Sequence, residues 1–275
     1  VSGMSAFNTD DTTLKYILGL MSSKLANHIF KMLNPTINLQ VGDFKNFPVL
    51  QNPTRKEKIE DFVSQNIYMS KLDWDMHESS WDFLNTPLLT NKSDGLISSA
   101  YESYKTEVNK RFSALKSNEE ELNRIFIDIY GLQDELTPEV SDKDVTVAKI
   151  FDSKEDIDEE IKGNKYILTR EDVVKNFLSY FIGCVMGRYS LDQEGLVFAG
   201  GEFDASKYKT FPADEDGIIP LTDHEYFEDD IVVRLEEFLK VTFGEEHLKE
   251  NLDFIAAELK GKKSETSKEK IRNYF

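Results

Sequence analysis

Residues 101–130 read YESYKTEVNKRFSALKSNEEELNRIFIDIY, and their spacing decides the class of the fold. Tyr101, Val108, Leu115, Leu122 and Ile129 recur every seven residues, and Tyr104 and Ile125 fill two intermediate positions of the same stripe. Residues seven apart fall on one side of an α-helix, so the segment predicts a helix about 45 Å long at 1.5 Å rise per residue. Arg111 and Asn118 interrupt the stripe, which makes it a degraded heptad pattern. Such a helix serves either as an arm that sets a distance or as one member of a packed bundle. Spacing alone leaves both readings open.

Towards the N-terminus, Leu14, Ile17, Leu18, Met21, Leu25, Ile29 and Met32 step by three and four, predicting one amphipathic helix over residues 14–33. Thr12 or Thr13 is placed to cap it, and Asn34-Pro35 ends it, because proline disfavours the helical conformation of the residue before it. Ile37, Leu39 and Val41 then alternate with polar residues as a half-buried strand does, Gly42-Asp43 supplies a turn, and Pro48 closes the piece. A second helix is expected from Pro53-Thr54, with Ile59, Phe62, Val63, Ile67 and Met69 or Leu72 on its apolar side. Trp74 and Trp81, seven apart, are expected on one helical side as two core anchors.

Beyond Gly131, Pro138 and the acid-rich residues 152–160 read as loop and surface. Residues 171–185 predict a helix capped by Thr169. Residues 188–222, rich in Gly, Asp, Pro and aromatics, predict irregular structure with small strands, and Tyr189 and Phe198 are expected in the core. Residues 229–242 and 245–259 are expected to be helical, and the residues from Gly261 onward a polar tail. The class predicted is α+β, predominantly α.

Composition narrows the setting. Of 275 residues, 40% are hydrophobic and 12% aromatic, enough for a packed core and too many for wholesale disorder. The length suits one large or two modest domains, at about 100–200 residues each. Cys184, the one cysteine, excludes a disulfide framework and fits a reducing compartment. No apolar run approaches the roughly 18 residues of a membrane span, and the start shows no secretory pattern, so a cytoplasmic protein with no membrane contact is expected. The formal net charge is -18, unevenly spread: residues 1–120 hold 13 basic and 15 acidic side chains, residues 121–275 hold 20 and 36. A polyanion is tolerated by the first part and repelled by the second.

Chemical motifs are incomplete wherever they begin. The four histidines stand singly, and His224 lacks a second histidine at position 228, which is Glu228, so no metal site is expected. Residues 152–163 fail as a calcium loop, with Lys154 where an oxygen ligand belongs and Ile157 where the turn glycine belongs. Gly261-Lys262-Lys263-Ser264 ends like a phosphate loop but lacks the earlier glycine. Cys184, in an apolar helix with no histidine nearby in sequence, reads as a buried structural thiol. No catalytic residue, cofactor site or metal site is therefore assigned.

Longer strings carry more. LKYILGLMSSKLANHIFKMLNPTINLQVGDFKNFPV, residues 14–49, resembles the closing part of a target-recognition domain of type I specificity subunits and fused restriction-modification enzymes. SKLDWDMHESSWDF (70–83), NRIFIDIYGLQDEL (123–136) and GCVMGRYSLDQEGLVFAGG (183–201) resemble the C-terminal region of the BREX phage-defence adenine methyltransferases of the PglX type. The resemblance implies a parent enzyme that moves a methyl group from S-adenosylmethionine to adenine N6 in DNA, with its catalytic domain upstream. The Asn-Pro-Pro-aromatic tetrad of such enzymes is broken here as Asn34-Pro35-Thr36-Ile37, and a Phe-x-Gly-x-Gly cofactor loop is broken by Glu202 after Phe198-Ala199-Gly200-Gly201. The resemblance also implies the end of a target-recognition domain (1–52), a helical spacer (53–131) and an acidic mainly helical domain with small strands (132–260), which the polar tail (261–275) follows.

Base-flipping enzymes hold phosphates and read base edges with basic and amide side chains. The candidates for double-stranded DNA are Asn34, Thr36, Asn38, Gln40 and Lys45 in the recognition tail, with Arg55, Lys56 and Lys58 opening the next helix. The expected partners are thus DNA through the N-terminal third, the parent catalytic domain and other phage-defence proteins. The alternative is an acidic protein-interaction module that docks other defence components without touching DNA.

Overall fold

The computed structural model describes residues 7, 10–34, 36 and 40–275. Among them, ten α-helices and a single two-stranded parallel sheet form a mostly helical α+β structure. The chain divides into two compact units, Val1–Lys71 with Lys110–Val147, and Leu72–Asn109 with Ala148–Phe275. No helix among the described residues is long and apolar enough to cross a membrane.

The first unit contains α1 (Asp11–Met21), α2 (Lys24–Leu33), the short α3 (Val41–Lys45), most of α4 (Lys56–Asp75) and the later part of α6 (Ile97–Tyr130). Its core joins Tyr16 and Leu20 of α1, Leu25 and Ile29 of α2, Ile59 and Val63 of α4, and Leu122, Ile125 and Phe126 of α6. Helices α1 and α4 approach closely at Gly19, where an added Cβ would lie 2.8 Å from Val63 Cγ2. The single helix expected over residues 14–33 is two, broken at Ser22-Ser23. Ser23 donates to the Leu20 carbonyl at 2.6 Å and accepts from the Ala26 amide at 3.3 Å, so its hydroxyl ends one helix and caps the next. Asp10, not Thr12 or Thr13, caps α1. Of the expected strand, Ile37 and Leu39 lie outside the described residues, and Val41 and the supposed Gly42-Asp43 turn belong to α3.

The second unit is built around α7 (Arg170–Val185), whose Val174, Phe177, Leu178, Phe181 and Cys184 are buried. Thr169 caps it, as expected, in a reciprocal pair with Asp172. Around it pack α8 (Ile231–Phe243), α9 (Leu248–Ala257), α10 (Ser267–Tyr274) and Ile97, Tyr101, Tyr104 and Val108 of α6. Phe238 lies 5.3 Å from both Phe181 and Phe211, ring to ring. Tyr189 joins this core as expected, whereas Phe198 is half-buried against Phe203. Burial pushes the Cys184 thiol up to about 12, so it is an inert packing group.

The strands lie outside the segment expected to hold them. Residues 188–222 contain one isolated bridge, Ser190 to Gln193. The sheet pairs β1 (Lys149–Phe151) with β2 (Ile167–Thr169) in parallel, Ile150 opposite Leu168. Two short strands are marginal alone. Here side chains complete the free edge: the Asn109 amide exchanges bonds of 2.9 and 3.0 Å with the backbone of Ile150, and buried Asp73 accepts from the Ala148 amide.

Two further expectations are corrected. Helix α4 ends at Asp75, so Trp74 and Trp81 do not share a helical face; Trp81 is 97% exposed and Trp74 also faces solvent. Phe83 takes the core place instead, ring to ring with Tyr189 at 5.3 Å. The expected polar tail is a helix, α10, with Ile271 fully buried. Arg272 on α10 donates at 2.6 and 2.8 Å to Asp230, which caps α8 and is wholly buried.

Candidate nucleic-acid interface

The residues singled out for DNA contact fall into two groups in the first unit. The first surrounds the end of α2. Asn34 closes α2, its amide nitrogen donating to Asp43 at 2.7 Å and its oxygen accepting from the Thr36 amide and hydroxyl at 2.9 and 2.6 Å. Gln40 precedes α3, and its backbone amide donates to the same Asp43 carboxylate at 2.8 Å. These bonds hold the Asp43 carboxyl below its usual range, the Asn34 amide contributing most. Asp43 is thus the tie of this turn, and Asn34 is engaged within it. Thr36, Gln40 and Lys45 are exposed, and Asn38 lies outside the described residues.

The second group opens α4, where each cation meets an acid. Arg55 pairs with Asp128 of α6 at 3.3 Å, Lys58 with Glu121 of α6 at 2.8 Å, and Lys56 with Glu60 at 3.6 Å. The Lys58 ammonium holds the Glu121 carboxyl below its usual range against the effect of burial. Phosphate would have to compete with those carboxylates. Lys45 has no ion-pair partner among the described residues. Neither has Lys31, an exposed lysine in the last turn of α2 that the sequence reading passed over. Its signal was its place, one turn ahead of Asn34, where a cation also suits the negative end of the helix dipole.

Charge separates the two units as it separates the two parts of the sequence. The first carries 13 basic and 15 acidic side chains, the second 20 and 36. No group of three or more histidine, cysteine or carboxylate side chains is arranged to hold a metal among the described residues.

Comparison with known proteins finds relatives along nearly the whole chain. No protein-family model matches the chain. It is 43% identical over 281 residues to an adenine-specific methyltransferase PglX of Lacticaseibacillus casei (strain Zhang), covering 99% of this chain. It is 38% identical over 280 residues to an adenine-specific methyltransferase BrxX of Escherichia coli O9:H4 (strain HS), covering 98% of this chain. Along nearly its whole length the chain is similar to PglX-type proteins. It spans 22% of the length of each of these relatives, so it corresponds to one portion of a PglX-type polypeptide. Both units fall within the matched region.

Proposed function

We propose that this chain is the C-terminal region of an adenine-specific DNA methyltransferase of a phage-defence system, and that it holds and orients DNA while the methyl transfer takes place on the remainder of the polypeptide. The observation that carries the reading is similarity along nearly the whole chain to two adenine-specific methyltransferases, at 43% and 38% identity. The near-neutral first unit supports the placement of DNA there. Within it, Lys31 and Lys45 are the readier phosphate contacts, because the cations opening α4 are already held by carboxylates. Asn34 shapes the turn between α2 and α3, and Thr36 and Gln40 are the exposed polar groups beside it.

The cofactor of such an enzyme, S-adenosylmethionine, does not fit the nearest glycine pair of this chain. Gly200 and Gly201 take φ values of 129° and 88° in a loop where an added Cβ would meet nothing within 4 Å. No strand leads into that loop, and exposed Glu202 follows it. No step of the reaction is therefore assigned to these residues.

The test is duplex-oligonucleotide binding by fluorescence anisotropy across salt concentrations. The expected result is weak binding that falls steeply with salt, with Lys31→Glu and Lys45→Glu each lowering the salt slope by about 1. Binding that ignores both reversals would remove the DNA reading. It would leave the second one, an acidic docking module for other defence components, favoured by the 36 acidic against 20 basic side chains of the second unit.

A further inference from the structure

A cavity of about 370 Å³ opens in the first unit between α1, α4 and α6. That volume lies in the range of small-molecule sites, which combine apolar walls with a few placed polar groups. Gly19, Val63, Leu115 and Leu122 form its apolar floor, and Leu18 and Ile67 stand exposed at its mouth. The absence of a side chain at Gly19 is part of what shapes this floor.

Into this apolar space points a carboxylate. Glu119 of α6 is partly buried, lines the cavity, and accepts no hydrogen bond or ion pair from any described residue. Elsewhere on α6 the arrangement differs: Glu120 accepts from the Val140 amide, Glu121 from Lys58. Burial, with repulsion from Asp144, pushes the Glu119 carboxyl up to about 7, as expected of an acid whose charge lacks a partner. Six more polar residues, Ser22, Ser23, Asn66, Ser70, Asn123 and Thr146, line the same space. The Asn66 oxygen is occupied by Asn118 at 2.9 Å, which leaves its NH₂ group available, and the Ser22 and Ser70 hydroxyls sit at the rim.

We propose that this cavity is a binding site for a small apolar amine, its ammonium paired with Glu119 and its hydrocarbon body against Val63, Leu115 and Leu122. An unpartnered carboxylate, a second acid nearby and an apolar floor select for positive charge on an apolar stem. A neutral isostere forfeits the charge-assisted bond, and an anion is repelled.

Phenethylamine is the probe, with 2-phenylethanol as the neutral isostere and phenylacetate as the anion, titrated into the full 275-residue chain by calorimetry and ligand-observed NMR. Phenethylamine is expected to bind saturably and at least about tenfold more tightly than the alcohol, and phenylacetate not at all. Glu119→Gln is expected to abolish that preference while keeping the alcohol's affinity. Ile67→Trp, at the exposed mouth, is expected to weaken both ligands without altering the fold seen by circular dichroism. The proposal is overturned if phenethylamine shows no saturation by about 10 mM, if amine and alcohol bind alike, or if Glu119→Gln leaves the preference intact.

Discussion

Trp81 and Phe83 sit two residues apart on one hydrogen-bonded turn, yet one points into water and the other packs on Tyr180 and Tyr189. Truncating an exposed ring removes little packing, whereas truncating a buried one leaves a cavity. Trp81→Ala is therefore expected to change unfolding free energy by no more than about 0.5 kcal/mol, and Phe83→Ala to cost about 3–5 kcal/mol. Urea titration of both variants checks this, and comparable losses would contradict the assignment. Glu119 supplies a pH signature. Its carboxyl titrates at about 7 in the folded chain against 4.5 in the reference state, so folding favours the proton. That stabilisation is complete below the lower value and is lost as pH rises through the upper one. Glu119→Gln is expected to flatten this decline and to be the more stable protein at pH 8, by about 1–3 kcal/mol. Urea midpoints at pH 5 and pH 8 measure it.

At the scale of elements, two polar side chains fasten pieces that are remote in sequence. Asn123 on α6 is buried; it accepts from the Lys24 amide at 2.9 Å and donates to the Pro138 carbonyl at 3.0 Å. It thus serves the open start of α2 and the loop after α6 together. Asn123→Ala strands both backbone groups and is expected to cost about 1–3 kcal/mol, while Asn118→Ala, losing amide contacts nearer the surface, costs less. Chemical denaturation of the two variants ranks them. Arg272 fastens α10 to α8 through Asp230 and also donates to the Thr222 carbonyl at 2.7 Å. Burial alone would raise the Asp230 carboxyl; the Arg272 bonds and the Val232 amide hold it below its usual value instead. Its contribution is present at neutral pH and is lost as pH falls through that lowered value. Arg272→Ala leaves a buried carboxylate without its cation, with an expected cost of about 3–5 kcal/mol that shrinks in acid. A loss independent of pH would place the effect in packing rather than in charge.

Across the whole molecule, charge and topology follow different rules. The acid excess lies in the second unit, and it is readable without coordinates because each side chain keeps its charge wherever it folds. Which cations face a ligand is not readable that way. Arg55 and Lys58 look like open phosphate contacts in sequence, and only the folding of α4 against the later part of α6 brings Asp128 and Glu121 to them. The expected consequence is that Asp128→Ala and Glu121→Ala raise affinity for duplex DNA at low salt by freeing those cations, and the gain vanishes at high salt. Anisotropy titrations at two salt concentrations separate this from a general charge effect by including Glu159→Ala, an exposed acid of the other unit.

Local spacing and cap residues by themselves determined the helical class, the long α6 with Tyr101, Val108, Leu115 and Leu122 along one stripe, and the Thr169 cap of α7, because each depends on neighbours within a turn or two of chain. Only the tertiary structure decided where α1 stops, that residues 149–151 and 167–169 pair, that Trp81 stays outside, and that the last residues form a packed helix. Those outcomes rest on partners far along the chain: Asn123 for the amide at the start of α2, Asn109 and Asp73 for the strand edge, Asp230 for α10. A buried polar group must find its partner wherever the fold provides one, and no local spacing records that search.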